Sequence, residues 1–552
     1  MIESISLKFT ERTEPLVVPS QGVTIFVGPN NSGKSLLLRE FEAAFATHGT
    51  IETKLFGDYE LQWPEEGQLE SDIEKLRKKA PVGIQLENIY VGRFRPNGEL
   101  EANQVNRDAL FDQFRGRDKR WVASQFFKYF QIRLDGRTRF DLTNDRQTGD
   151  LANPPNNLLA HLFQDDDLRK EVRDIVFDAF SVYFVIDPLG GGNLRIRLSQ
   201  SAPTHDEQSL GKAAREFHRA ATYIKDASDG VQAFVGILTA VMSGDFRSIL
   251  VDEPEAFLHP PLARKLGHQL ATMATKRSGS LMASTHSPDF LMGCLQGSNQ
   301  VRVVRLEYSS GKSKGQFVDS EALRKFFKAP LIRSANVISG LFHDGVVVTE
   351  SDNDRAFYSE IYQRLAEKET GYPSLLFVNA QNKQTIRDII GPLRAFGVPA
   401  AAIVDIDILK DGGSTWKGWL EAANFPSAMV GSLGVLRGDL HKRFENANVD
   451  MKAKGVGGLP VQGDKDAVNE LFDTLDQYGI FVTRNGELES WLRHLGVTSK
   501  KAEWTVQMLE RLGDDPGLSG YVHPSNDDIW EFMQRIVGWV RNSERKGMPV
   551  GS

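Results

Sequence analysis

Short, unbroken apolar runs recur along these 552 residues, separated by longer stretches with helical spacing. Runs of four to six mainly β-branched or aromatic residues, closed by turn residues or carboxylates, predict strands covered on both faces, as in parallel sheets. Val23-Thr24-Ile25-Phe26-Val27 is one; residues 2–8 and 14–18 predict short strands before it, with Ser20-Gln21-Gly22 as the turn. Residues 65–79 read as a solvated helix, 83–90 as a strand, and about 100–185 as a mostly helical insertion ending at the strand 182–186. Two more apolar strands, 249–253 and 281–285, follow a small polar turn that opens an apolar helix at 227–234. A new alternation starts near 335: strand 345–350, helix 353–366, strand 374–379, helix 383–396 and strand 400–405. The pattern predicts two α/β units, 1–334 and 335–552, the second doubly wound with a helical C-terminal extension.

The first run leads directly into Gly28-Pro29-Asn30-Asn31-Ser32-Gly33-Lys34-Ser35, then Leu36-Leu37-Leu38. Strand, glycine-bounded loop and helix with G-x-x-x-x-G-K-S spacing form a P-loop. Glycines let backbone N–H groups close around phosphate oxygens, and the helix N-terminus adds partial positive charge. Lys34 is placed to reach the β- and γ-phosphates and Ser35 to ligate Mg²⁺. The pattern therefore predicts nucleoside triphosphate binding. The strand 249–253 ends in Asp252-Glu253, the Walker B pattern, where Asp252 serves Mg²⁺ and Glu253 polarises the attacking water.

Ala227-Ser228-Asp229-Gly230-Val231-Gln232, Asp252-Glu253-Pro254 and Ser284-Thr285-His286-Ser287 are each weak alone, but their order after the P-loop is specific. Together they resemble the signature, Walker B/D-loop and H-loop motifs of ABC-type ATPases, in the branch that contains the SMC proteins. The resemblance implies two heads sandwiching ATP, with Ser228 and Gly230 of one head completing the partner's site and His286 at the nucleotide. Gln85 is a candidate for the Q-loop glutamine.

In the second unit Glu350, Asp405 and Asp407 fall at the carboxyl ends of predicted parallel strands, where α/β sheets bind ligands. Asp405 and Asp407, two apart in extended chain, point the same way. Three converging carboxylates imply a hard divalent cation; the alternative is that each caps a following helix. Glu350 followed by Asp354, then Asp-x-Asp, resembles a TOPRIM domain. Phe481-Val482-Thr483-Arg484-Asn485-Gly486-Glu487-Leu488-Glu489 is similar to the later acidic motif of the OLD (overcoming lysogenisation defect) nucleases. That family fuses an ABC-type ATPase to a C-terminal TOPRIM domain. The resemblance implies Mg²⁺, or Mn²⁺, on Glu350, Asp405 and Asp407, with Asp354, Glu487 and Glu489 for a second ion or its surroundings. It also implies Lys383 near the scissile phosphate. Ser351 departs from the family's usual glycine.

Composition narrows this reading. One cysteine, Cys294, excludes a disulfide framework or a cysteine-ligated zinc within one chain. Lys+Arg 66 against Asp+Glu 73 gives a net charge of −7, unlike a strongly basic nucleic-acid binder, though local patches decide binding. The N-terminus has no signal-peptide layout and no run is long enough to span a bilayer, so a cytoplasmic protein is expected. Residues 113–139 interleave Arg115, Arg117, Lys119, Arg120, Arg133, Arg137 and Arg139 with aromatics. That is either a surface for phosphates and bases or an amphipathic helix with its rings in the core; the second is preferred. Lys452–Pro460 reads as a flexible basic loop, and Ile529, Trp530, Phe532, Met533, Ile536, Val537 and Trp539 as an apolar stripe for packing or oligomer contact.

The expected whole is an ATP-hydrolysing, metal-dependent endonuclease in anti-phage defence, acting on DNA rather than RNA, as a homodimer or higher oligomer, with a companion protein as a possible partner. The rivals are an RNA-directed nuclease and an ATP-gated sensor with a degenerate TOPRIM.

Overall fold

The computed structural model describes residues 2–78, 87–95, 99–136, 138–151, 155–204, 207–309, 311–328, 332 and 336–549. The chain divides into two compact units, one of Met1–Val27 and Asn31–Leu323 and one of Arg324–Ser552 together with Gly28–Asn30; the expected boundary at 334/335 lies outside the described residues, as does Gln85.

The first unit is built on β1 (Gly22–Val27), β2 (Gln131–Leu134), β3 (Ser248–Asp252), β4 (Ser280–Ser284), β5 (Val301–Ser309) and β6 (Lys312–Val318), in the spatial order β6-β5-β1-β4-β3-β2. β1 to β5 run parallel and β6 closes the edge as an antiparallel partner of β5. Every residue of β1 is buried, which is why it reads as a continuous apolar run rather than an alternating one. Register pairs Asp252 with Ser284 and Ser284 with Phe26, so the ends of β3, β4 and β1 lie level. Helix α1 (Lys34–Ala46) buries Leu37, Leu38, Phe41 and Phe45, a helical stripe against the strand Phe56–Leu61. That strand belongs to a small antiparallel sheet with Ile2–Leu7 and Leu16–Pro19. Helix α2 (Asp229–Met242) is buried from Gln232 onward and α3 (Pro260–Lys276) follows β3.

The stretch 100–185 carries the expected helices, at Arg107–Arg115, Lys119–Gln125, Leu158–Gln164 and Asp166–Phe180. It also supplies β2 to the central sheet, which sequence did not show. Four residues with a central arginine have no strand signature of their own; pairing with β3, Leu250 opposite Arg133, makes them one. The cation–aromatic run is core. Phe114, Phe126, Phe127, Tyr129 and Phe130 are buried, so these rings are closed to bases. Arg115 pairs with Glu66 at 2.8 Å, Lys119 with Asp58 and Glu60 at 2.8 and 2.6 Å, and Arg133 with Asp135 at 2.7 Å. Arg137 lies outside the described residues.

The second unit holds β7 (Gly345–Thr349), β8 (Leu375–Asn379), β9 (Ala400–Asp405) and β10 (Ile480–Thr483), all parallel in the order β8-β7-β9-β10. Helices α4 (Asp352–Lys368) and α5 (Lys383–Ala395) make the two crossovers, followed by α6 (Gln462–Gln477), α7 (Ala502–Leu512) and α8 (Asp528–Arg541). Val347, Ala401 and Phe481 share a core with α4, α7 and α8. Val346 and Leu393 of α5 both approach Gly340, on the opposite face. The chain steps from β7 outward to β8, then back past β7 to β9, so the direction reverses between β7 and β9, where such sheets open a crevice.

Two expectations are settled here. The stripe of α8 is buried in this core, so it serves internal packing. Residues 452–460 are not a flexible loop: they fold into the short helix Met451–Lys454 and the turn Val456–Gly458. Gly455, at φ +59, packs so close that a Cβ would stand 2.4 Å from the Arg484 carbonyl, and Val456 N–H donates to that same carbonyl at 2.9 Å. Among the described residues no helix is long and apolar enough to cross a membrane.

Candidate nucleotide and carboxylate sites

Between β1 and α1 the loop turns through left-handed residues at Gly28 (φ +140), Asn31 (+62) and Gly33 (+94). A Cβ on Gly33 would lie 2.4 Å from Leu55 Cδ1, so both conformation and space require glycine. Asn30 and Asn31 are exposed at the tip, while Ser32 and Lys34 are buried. The Lys34 ammonium donates to Ser32 Oγ at 3.3 Å. Burial lowers its pKa to about 8, against the opposing pull of Glu253, Asp252 and Glu255. Ser35 Oγ donates to Asp252 Oδ1 at 2.9 Å, and Ser284 Oγ donates to the same oxygen. Walker A serine and Walker B aspartate, 217 residues apart, thus meet at the ends of β1 and β3.

Glu253 is exposed, with its backbone left-handed at φ +48 and its N–H held by the Ser284 carbonyl at 2.9 Å. His286 donates its backbone N–H to Glu255 Oε1 at 2.7 Å; burial and the nearby Lys34 charge push its ring pKa down to about 4, so the ring is neutral at physiological pH. Ser228 precedes α2 at an exposed position, and its side chain makes no capping bond to that helix. A Cβ on Gly230 would stand 2.7 Å from the Phe257 carbonyl, so glycine is what lets α2 approach that turn. Sequence reading missed Glu255 and Arg139; the latter was one of several arginines in the cation–aromatic run.

In the second unit Glu350 follows β7 and Asp405 ends β9, on either side of the reversal in strand order. Burial raises the Glu350 carboxyl to about 7 and Asp405 to about 8; for Asp405 the Glu350 charge adds to the effect. Asp407 behaves differently. Burial pushes it up, but Lys383 and Lys452 outweigh that and hold it below the usual range. Lys383, the first residue of α5, donates to Asp407 Oδ1 at 2.8 Å and lies 3.3 Å from Asp411 Oδ1. Lys452 stands 3.2 Å from Asp407 Oδ2, 3.8 Å from Asp405 Oδ2 and 3.5 Å from Glu487 Oε2. Both lysines are held above their usual pKa by these carboxylates, in spite of burial.

This corrects the charge argument made from sequence. Carboxylates at these strand ends need compensating positive charge, and two ammonium groups supply part of it. Among the described residues no three acidic or histidine side chains are gathered as a ready metal cage. The donor chemistry still suits a divalent cation: all are hard carboxylate oxygens, and Glu350 Oε1 is buried without a hydrogen-bond partner among the described residues.

The outer carboxylates have other ties as well. Asp354 Oδ2 accepts from Ser351 N–H at 2.9 Å and Ser351 Oγ at 2.7 Å, forming a capping box at the start of α4. Ser351 is extended (φ −137), so no glycine is required there. Glu489 Oε1 accepts the N–H of Lys501, itself left-handed at φ +57. Lys452 was read only as part of a loop, and no local signal marked it or Asp411 as belonging to this cluster.

A family model described as "Overcoming lysogenization defect protein-like, TOPRIM domain" matches residues 341–407, which contain Glu350, Asp405 and Asp407. One described as "AAA domain", and named also for the AbiEii toxin of type IV TA systems, matches residues 23–292. The chain thus carries an AAA-type ATPase domain followed by an OLD-like TOPRIM domain. Among curated proteins, this chain is 22% identical to the "Old nuclease" of Escherichia phage P2 over 306 residues, 52% of this chain and 50% of that protein. It is 24% identical to the "OLD nuclease" of Thermus scotoductus over 200 residues, 32% of this chain and 36% of that one. The matches thus span half or less of these relatives. Among solved structures, an SMC head bound to the C-winged helix domain of ScpA aligns with a TM-score of 0.34 and 13% identity, over 59% of this chain and 99% of that one.

Proposed function

We propose that this chain hydrolyses ATP and cleaves nucleic acid in a divalent-metal-dependent reaction, as an endonuclease directed at phage or other foreign DNA in the cytoplasm. One observation carries the reading: Asp407 meets Lys383 and Lys452, Lys452 also approaches Asp405, and Glu350 feels the charges of Lys383 and Asp407, all where strand order reverses in an OLD-like TOPRIM sheet. Glu350, Asp405 and Asp407 would hold Mg²⁺ or Mn²⁺, with Asp354, Glu487 and Glu489 around a second ion; bound there, such an ion activates water and offsets charge on a phosphodiester. Lys383 and Lys452 offer N–H donors to non-bridging phosphate oxygens.

At the first site Lys34 would clamp the β- and γ-phosphates, Ser35 and Asp252 would hold Mg²⁺, and Glu253 would orient the attacking water. Gly28, Asn30, Asn31, Ser32, Gly33 and His286 line the nucleotide. Ser228 and Gly230 face the partner copy's nucleotide in a homodimer. Sedimentation of Glu253→Gln with ATP should show association; a monomer at all concentrations with ATP bound would refute the shared site.

A second reading follows from Lys452. An ammonium among the carboxylates also suits a protein that senses or docks and does not cut. Wild type and Asp405→Asn are to be incubated with plasmid DNA and with RNA, with Mg²⁺ or Mn²⁺, with and without ATP. Cleavage of DNA by wild type alone supports the proposal, and cleavage of RNA alone changes the substrate. Equal cutting by both proteins places the nuclease elsewhere, and no cutting under any condition favours the sensor.

A further inference from the structure

Arg139 is fully buried, yet among the described residues it forms no ion pair. Its guanidinium donates to three backbone carbonyls instead: Asp252 at 2.6 Å, Ala256 at 3.1 Å, and Glu253 between them. These carbonyls belong to the turn joining β3 to α3, which contains two left-handed non-glycine residues, Glu253 at φ +48 and Phe257 at φ +70. Such residues are strained and persist only where surrounding structure over-determines them. A rigid planar fork that satisfies three carbonyls at once is such a determinant, and a lysine cannot reproduce it.

The same segment makes further contacts on both sides. Arg139 precedes the turn Phe140–Thr143. The Phe140 ring packs edge-on against Phe257 at 5.3 Å. Lys225, just before Ser228, donates to the Phe140 carbonyl at 2.7 Å and to Thr143 Oγ1 at 3.0 Å. A Cβ on Gly236 of α2 would stand 3.1 Å from the Arg139 carbonyl. Residues 139–143 therefore form a wedge between the strained Walker B turn and the helix that Ser228 precedes.

We propose that Arg139 is a positioning residue for ATP hydrolysis: it fixes the left-handed backbone of Glu253 and ties that residue to the Ser228 helix. The inference rests on the reading of Glu253 as the water-orienting group. ATP affinity and single-turnover hydrolysis are measured for wild type, Arg139→Met, Arg139→Lys, Glu253→Gln and the double variant Arg139→Met/Glu253→Gln.

Arg139→Met should slow hydrolysis roughly 10- to 100-fold, the scale for a misplaced catalytic group, with ATP affinity unchanged. Arg139→Lys should recover part of the rate, and the double variant should be no slower than Glu253→Gln alone. Should Arg139→Met fail to fold, Arg139→Lys and Phe140→Leu carry the test, each slowing hydrolysis at unchanged affinity. Parallel loss of affinity and rate, undiminished rates, or a double variant that loses both effects in full would overturn the proposal. Full hydrolysis by Glu253→Gln would instead overturn the underlying reading of Glu253, and is distinguished by that variant alone.

Discussion

The two acidic sites face the same problem and solve it differently. Around the P-loop, Asp252 is satisfied by two hydroxyls, Ser35 and Ser284, and one buried lysine lies near three carboxylates. That lysine is depressed toward pH 8 by its own burial. In the TOPRIM unit two lysines sit among the carboxylates, and it is the acids Glu350 and Asp405 that are displaced, upward to about 7 and about 8. Burial penalises whichever charged group is least compensated. In the first site burial displaces the lysine and, among the acids, Glu255, and in the second it displaces the pair of acids at the strand ends. The ATP site is thus already suited to a polyanion, whereas the TOPRIM site is poised to trade protons for positive charge.

The sharpest separation should come from Glu253→Gln, which removes the carboxylate proposed to orient the attacking water. ATP hydrolysis is expected to fall roughly 10²- to 10⁴-fold, with ATP still bound; Lys34→Ala should lose the binding itself. Equilibrium binding beside phosphate release distinguishes the two, and nucleotide binding retained by Lys34→Ala would break the assignment of the clamp.

Next in size is neutralisation across the sheet. Asp405→Asn or Glu350→Gln should reduce divalent-ion affinity at the TOPRIM site by more than the 10- to 100-fold typical of an outer-shell change, so at least about 100-fold. ATP turnover should stay near wild type. Calorimetric Mn²⁺ titration reads the first and phosphate release the second; equal loss of both would mean that the two sites are not independent.

Opposite pH slopes give a third test. Lys34 must be protonated to attract phosphate and titrates at about 8, so ATP affinity should fall as pH rises through 8. Glu350 and Asp405 must be ionised to receive a cation, so TOPRIM ion affinity should rise through pH 7 to 8, at up to about tenfold per pH unit for each proton released. The sign for stability follows. Both acids hold protons in the folded chain at pH values where the unfolded chain has lost them. The metal-free protein should therefore lose stability as pH climbs from the ordinary carboxylate range to about 8. Melting temperatures between pH 5 and 8, with and without Mg²⁺, check this, and a metal-free protein most stable at pH 8 would contradict it.

The smallest effect is expected at Ser351. Because it caps α4, Ser351→Ala should cost about 0.5–2 kcal/mol in urea unfolding and Ser351→Gly only a few tenths. A clear stabilisation by glycine would show that the turn favours positive φ after all.

The P-loop, the Walker B strand and the βαβαβ order could be read from sequence because each depends on neighbours a few residues away. Turn glycines, apolar runs and helix spacing are local, and the ends of the strands follow them closely. β2 could not be read so, since pairing with β3 is what makes Gln131–Leu134 a strand. The positions of Glu350, Asp405 and Asp407 at strand ends were legible, but their charge balance was not. It depends on Lys452, 45 residues beyond Asp407 and held in place by Gly455 and Gly486 against the chain after β10. Glu350 and Asp405 are raised by burial, which no local pattern reports. By itself the sequence determined which elements form and which residues stand at their ends, because those follow from period and turn chemistry. Only the tertiary structure decided which charges meet, because distance and dielectric are properties of packing between segments far apart in the chain.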